Sequence, residues 1–476
     1  MTDHQRRPDS GGALDDCPPL ERAVVSFIQD LTYDDLDAAA LTGVGRLLRD
    51  QLSLQIGISH MPWSAQILAY IEAQQRPGTS SVAASTETMS AIDAAFVNGS
   101  YGHGFEYDDA HGPSESHPGS CVIPAALAIG EELGSTMREV ITAMVAGYEV
   151  YARLGVLASP ELLSRGYQPH AVLSVFGAAT VAAKLRGLDA ETTLHALAIA
   201  LSYASGTTEY SSTGGSIKRA HAGIGTRGGM SAADMAIAGI TGPRAFLSGN
   251  KGFFRVFCGR PAADDGPERF TVDRRFEIAD NWLKAYCACY CTHAYIDALR
   301  PFSARAADVA DVRLRIHPAF DVVVGNKNAN AFAPRNIEHV QYSLPTQAAF
   351  ALLGMGNGYR VHRDYLAGDV DMTPVLALTK RITIEPSEEL AQRDGSRFVG
   401  DATVTFADGS HEDVFVPGAI GTDTNPMPED EQDAKFLELT VDTLGEAGAR
   451  TLLSTLRELD PAMTAAQVMA LCRPTA

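Results

Sequence analysis

The run Ala171-Val-Leu-Ser-Val-Phe-Gly-Ala-Ala-Thr-Val-Ala-Ala-Lys-Leu-Arg186 decides the fold. It reads as a helix whose surface is largely Ala and Gly, and Ala232-Ala-Asp-Met-Ala-Ile-Ala-Gly239 repeats that composition. Small residues let helix axes approach closely, so these segments predict a compact bundle and not a layered sheet. Working outward, Leu20, Ala23, Val24, Phe27, Ile28 and Leu31 recur at helical spacing behind Pro18-Pro19. Segments 36–54, 63–74, 86–98, 120–133, 136–154, 190–204 and 228–240 read the same way, and no alternating strand pattern occurs before residue 251.

The character changes after Phe257, where residues 261–275 are charged and rich in turn formers, as expected at a domain boundary. Short β-like runs follow at Val312–Ile316, Ile382–Ile384 and Ala402–Phe406, and Asp408-Gly409 predicts a hairpin turn into His411–Val416. Helical stretches at 293–306 and 345–354 lie among them, and helical periodicity returns from Glu429. The expected organisation is a disordered tail (1–17), a large helical domain (18–265 with 429–476) and a smaller α+β lid domain (266–428). The fold class is mainly α.

A formal charge of −20 and a pI near 5.0 argue against nonspecific binding to nucleic acid or to an anionic membrane surface. No continuous apolar run reaches the ~18 residues of a membrane span, and the polar N-terminus does not read as a secretory signal. Seven cysteines, an odd and sparse count, suit a reducing cytosol.

Asn98-Gly-Ser-Tyr-Gly-His-Gly-Phe-Glu-Tyr-Asp-Asp-Ala-His-Gly-Pro-Ser-Glu-Ser-His-Pro-Gly-Ser120 places Glu106, Asp108, Asp109, His111, Glu115 and His117 on backbone that Gly and Pro keep from being helical. Composition alone allows a solvated acidic loop. The imidazoles argue for more, because a loop needed only for solubility has no use for groups that titrate near neutrality.

A second cluster, Lys218, Arg219, His221 and Arg227, contains no acid among its cations, and a helix is expected to begin near Gly223. Such an arrangement suits a carboxylate or phosphate, or else is a solvated basic turn. A third cluster runs from Lys284 through Cys287, Cys289 and Cys291 to His293. Its spacing lacks the second ligand pair of a zinc site, and alternate residues of an extended strand point to opposite faces. Lys284 and His293 are therefore expected at a cleft and the cysteines in packing, with Cys289 the least settled. Gln168-Pro-His170 precedes the helix at 171–186, and His170 reads either as a cap or substrate contact or as a structural histidine. His60, His195, His317 and His362 read as structural. No dinucleotide fingerprint, Walker loop or nucleophile elbow is present.

In these clusters the sequence resembles the MmgE/PrpD family. The matching pieces occur in family order: His117-Pro with Ile123-Pro-Ala-Ala-Leu127; Arg165-Gly-Tyr-Gln-Pro; Lys218-x-x-His221-x-Gly223; Ile240-Thr-Gly-Pro243; Gly252-Phe-Phe; Lys284-x-Tyr-x-x-Cys-x-x-x-His293; Tyr342-Ser-Leu-Pro345; Asn425-Pro-Met-Pro428 and Lys435-Phe436. The resemblance implies a homodimer with an interdomain cleft for a di- or tricarboxylate, and catalysis without metal or organic cofactor. It also implies chemistry that makes or quenches a carbanion beside a carboxylate. Four positions depart from the commoner family pattern, Glu106 for an aspartate, Ala110 for a threonine, Gln168 for a histidine and Thr346 for an aromatic.

On that resemblance Lys218 and Lys284 hold carboxylates and spread developing charge. His117 moves the proton, with His293 or Glu106 as its counterpart. Asp108 and Asp109 orient His117 or His111, and His221, His111, Gln168, His170 and Cys289 are further substrate contacts. The expected activity is a cofactor-independent dehydratase or decarboxylase in the cytoplasm. Its rivals are an epimerase of a dicarboxylate and a non-catalytic carboxylate-binding homologue.

Overall fold

The structure, a computed structural model, describes residues 14–390 and 397–474. The fold is mainly α. Pro169–Leu185 is the central helix, packed between Met137–Ala158 and Ile217–Ile237. Small residues are required at the second contact: a Cβ on Gly229 of Ile217–Ile237 would stand 2.3 Å from the Val175 carbonyl oxygen of the central helix. Met137–Ala158 has the length and mean hydropathy of a membrane span. Yet 89% of its most apolar window is buried inside the bundle, and Arg153 pairs there with Glu149 at 2.8 Å.

Local chemistry starts the helices where the sequence places them. The Asp37 carboxylate accepts from the Ala40 N–H at 2.7 Å, and Thr136 and Glu139 form a reciprocal capping box. Each cap contributes about 1 kcal/mol. Two corrections concern this half. The last helix of the bundle begins at Ile217, before the expected Gly223, so the basic cluster lies on it and not ahead of it. A ladder of two residues per strand, β1 (Ser80–Ser81) and β2 (Thr88–Met89), also occurs, too short to show alternation.

The domain limits shift for identifiable reasons. Residues 1–13 of the expected tail lie outside the described residues, but Leu14 and Cys17 are buried in the main core and Asp16 pairs with Arg244 at 3.0 Å. Residues 14–17 are therefore folded. At the other boundary Phe270, Phe276, Ile278 and Leu283 pack into the helical core, while the second core starts at Tyr286. The segment 266–283, expected in the lid, is a strap on the helical domain.

The lid is built on β3 (Val309–Ile316), β4 (Ile382–Pro386), β5 (Gly400–Phe406) and β6 (His411–Val416), in spatial order β4-β3-β5-β6. β5 and β6 form the expected hairpin, with Gly409 at φ 85° in its turn. β3 and β4 are parallel, so the chain needs a long crossover, and the helices between residues 318 and 379 supply it. Helix Glu429–Arg457 then returns to pack along Ala38–Ile58.

Candidate active site

Two backbone features bring the clusters together. Ala110 and Trp282 exchange N–H···O bonds of 2.9 and 2.7 Å as an isolated antiparallel bridge. Stepping two residues along each strand from that bridge sets Asp108 opposite Lys284. The second feature is a close helix crossing: a Cβ on Gly223 would lie 2.3 Å from the Phe96 carbonyl oxygen. With helix Ile217–Ile237 pressed onto Ala91–Gly102, Lys218 projects from its first turn toward the loop that leaves the other helix.

Glu106 sits where these features meet, buried, with φ 55° in the left-handed region that non-glycine residues seldom occupy. Its Oε1 accepts from Lys218 Nζ and, at 2.9 Å, from the Tyr342 hydroxyl; its Oε2 accepts from Lys284 Nζ at 3.0 Å. Lys284 also lies 3.9 Å from Asp108 Oδ1. Burial and the neighbouring Lys284 push Lys218 well below the usual lysine range, so its charge depends on the anion that faces it.

Behind this centre lies a chain of hydrogen bonds whose directions its ends fix. The His117 backbone N–H donates to the Tyr151 oxygen (3.3 Å), so the Tyr151 hydroxyl donates to His170 Nδ1 (2.8 Å). His170 Nε2–H then faces Ser120 Oγ (3.3 Å), which donates to Asp108 Oδ2 (3.2 Å), and His103 Nδ1–H donates to the same oxygen (2.7 Å). His103 and His170 stack with ring centroids 4.4 Å apart. Burial pushes both well below the ordinary histidine value, so both are neutral at pH 7.

His117 is the imidazole of this group that lines the cleft. Its Nδ1 lies 2.7 Å from the Asp109 carbonyl, which only accepts, so the proton sits on Nδ1 and Nε2 keeps a lone pair. Burial lowers its pKa as well. Asp109 turns its carboxylate the other way, accepting from the Gly119 N–H, Tyr148 and Asn281. Burial and the adjacent Asp108 push it up to about 8, against the pull of those donors.

The cavity between the two domains has a volume of about 450 Å³. Glu106, Ala110, His111, His117, Gln168 and Trp282 line the helical wall; Lys284, Cys289, Cys291 and Tyr342 line the facing wall. Arg397 of the lid reaches across to pair with Glu115.

Several candidates lie elsewhere. His293, expected at the cleft, is buried with its ring stacked on Tyr290 (4.7 Å), and its Nε2 faces the Ala288 carbonyl; it does not line the cavity. His111 is on the wall but engaged with Ser114 (2.8 Å) and Glu277 (3.1 Å). His170 supports the wall from behind. His221 packs against Tyr210, with burial pushing it down to about 4. Gln168 caps its helix through Ala171 N–H at 2.8 Å.

The basic cluster is splayed by its helix: Arg219 runs to Glu338 and Gln341, Arg227 to Gln74 and Asp93, leaving Lys218 at the centre. Thr346 is buried under Ser343 and is not on the cavity wall. The cysteines also differ from expectation. Cys287 turns inward to the Phe105 carbonyl, but Cys289 and Cys291 both reach the cavity, because Tyr290–Thr292 is a 3₁₀ turn and not a strand.

Sequence reasoning missed His103, Tyr342 and Tyr151 as members of the site. His103 carried a signal, an imidazole between two glycines of the acidic loop. Tyr151 gave none, being one aromatic on an apolar helix.

Comparison with known proteins follows the same division of the chain. The MmgE/PrpD N-terminal domain matches residues 22–265, and the MmgE/PrpD C-terminal domain matches residues 286–460, beginning where the second core begins. A cis-aconitate decarboxylase of Aspergillus terreus is 23% identical over 461 residues, 92% of each chain. The cis-aconitate decarboxylase-like protein oryM of Aspergillus oryzae is 28% identical over 290 residues, covering 58% of this chain and 59% of its own. The human cis-aconitate decarboxylase is 32% identical over 165 residues, 34% of each chain. With both domains matched in order across most of its length, the chain belongs to the MmgE/PrpD family.

Proposed function

We propose that the protein is a lyase that removes carbon dioxide from a small tricarboxylate of the cis-aconitate type, or water from the hydroxylated counterpart of such an acid. The observation that carries this reading is the Glu106 centre. Two buried ammonium groups and a phenol converge on one carboxylate at the edge of an interdomain cavity, which is the constellation an ionised organic acid requires. Glu106 holds that seat in the resting protein. An incoming carboxylate takes over Lys284 and Lys218, and their charge is then available to an electron pair developing on the neighbouring carbon. His117, neutral and with an Nε2 lone pair, is the proton acceptor beside it. The names of the relatives support tricarboxylate decarboxylation as the first reaction to try. A homodimer is part of the proposal, joined through the exposed face of helix Ile217–Ile237, where Ile217 and Ile224 lie beside Tyr70.

Incubation with cis-aconitate and related acids in deuterated water, followed by NMR, tests the reading. Carbon dioxide or water loss with deuterium in the product supports it. Stereochemical inversion without loss of a group makes the protein an epimerase, and no exchange with any acid makes it a binding protein.

A further inference from the structure

Lyase chemistry of either kind needs a proton donor. When water leaves, its oxygen must be protonated; when carbon dioxide leaves, the electron pair left on carbon must be. His117 has its proton committed to the Asp109 carbonyl and offers the cavity a lone pair, so the donor lies elsewhere.

The groups on the facing wall can be taken in turn. Lys284 is ion-paired to Glu106, and the Tyr342 hydroxyl is spent on the same carboxylate and pushed well above the usual phenol range by burial. Tyr290 is pushed upward in the same way, and Arg397 is paired with Glu115. Of the two groups expected for this task, His293 does not reach the cavity, and Glu106 accepts from Lys218, Lys284 and Tyr342. Cys289 and Cys291 remain. The Cys289 backbone N–H donates to the Gln341 carbonyl at 2.9 Å, the residue before Tyr342, and its carbonyl accepts from the Thr292 N–H at 2.9 Å. Its sulfur is thereby anchored on the wall beside the Glu106 centre. Cys291, two residues on across the 3₁₀ turn, lines the same cavity.

We propose that Cys289 is the general acid of the lid wall, with Cys291 as the residue that positions and holds its sulfur. The assignment rests on the lyase reading above. In water loss, His117 Nε2 takes the proton from the carbon beside the carboxylate and the C–H pair becomes the double bond. The C–O bond then breaks, and the oxygen leaves with the Cys289 proton. In carbon dioxide loss the C–C bond breaks, and the pair left on carbon takes the Cys289 proton. In both cases the thiolate regains its proton from solvent, and in water loss His117 gives the proton it took back to solvent. The thiol is suited to this exchange: the adjacent Cys291, then Lys284 and Lys218, draw Cys289 down to about 7, while Cys291 itself is pushed well above the usual thiol value and keeps its hydrogen.

The test uses the full chain with cis-aconitate as probe. Cys289→Ala is expected to lower kcat by at least about 100-fold with KM changed less than about threefold, and Cys289→Ser to fall between. Iodoacetamide should alkylate Cys289 at a rate rising through about pH 7 and slowed by saturating cis-aconitate, and Cys291→Ala should move that rise to higher pH. Melting temperatures separate these effects from misfolding, and the alkylation profile reads the wild type alone. Wild-type turnover with Cys289→Ala within threefold of it overturns this assignment and leaves the lyase reading standing, as does alkylation indifferent to cis-aconitate. A wild type that turns over no polycarboxylate overturns both.

Discussion

Two buried lysines, joined by a hydrogen bond from one side chain to the other's backbone carbonyl, do opposite things. Lys435 Nζ donates to Asp50 Oδ1 (2.6 Å), to the Tyr107 carbonyl (2.8 Å) and to the Lys284 carbonyl (3.0 Å), so all three of its hydrogens are spent. It fastens together the two strands that carry Glu106, Asp108 and Lys284. Lys284 itself faces one carboxylate at 3.0 Å and a second at 3.9 Å, and it lines the cavity. Both are buried ion pairs by burial and charge alone. What separates a structural ammonium from one that can take a ligand is unspent hydrogen-bonding capacity beside an accessible space.

The comparison breaks most severely at the structural lysine. Lys435→Met leaves Asp50 buried without a counter-ion and should cost about 3–5 kcal/mol of stability, read from urea unfolding. A midpoint like that of the wild type would show that the pair is not a fastener. Next comes His117→Ala, which removes the cluster's imidazole from the cavity wall. Turnover should fall about 10²–10⁴-fold with an unchanged melting temperature. Glu106→Gln sharpens the comparison further: it vacates the seat between Lys218 and Lys284, so the variant should melt lower than the wild type. Added tricarboxylate should raise its melting temperature more than it raises the wild type's. The smallest effect is general. His221 and His362, pushed down to about 4 by burial, are neutral in the fold but bind protons near pH 6.5 when unfolded. The stability they contribute is complete above about pH 6.5 and is lost as the pH falls toward 4, so melting at pH 5 should lie below melting at pH 7.

Much of this architecture was legible before the coordinates. The Ala- and Gly-rich runs marked the bundle because close helix contact demands small side chains; three lid strands showed short β-like runs, and the Asp408-Gly409 turn marked the fourth. The strap at 266–283 was not legible: Phe270, Phe276 and Ile278 sit on 3₁₀ turns and coil, so they bury without any periodic pattern. In the site, the sequence supplied the acidic loop and both lysines, since ionisable groups among glycines stand out. It could not supply the partners. That Glu106 occupies both lysines, that His111 belongs to Glu277, and that Cys289 and Cys291 face one cavity all depend on the turns between them. A one-residue change in backbone geometry reverses such contacts.

The central claim is that the cationic pair at Glu106 is a carboxylate seat. Calorimetric titration of cis-aconitate into the wild type and into Lys284→Met tests it most directly. The account predicts saturable binding at one site per chain in the wild type, weakened at least about 100-fold in the variant, a loss of about 2.7 kcal/mol. Equal affinity in the two proteins would contradict it.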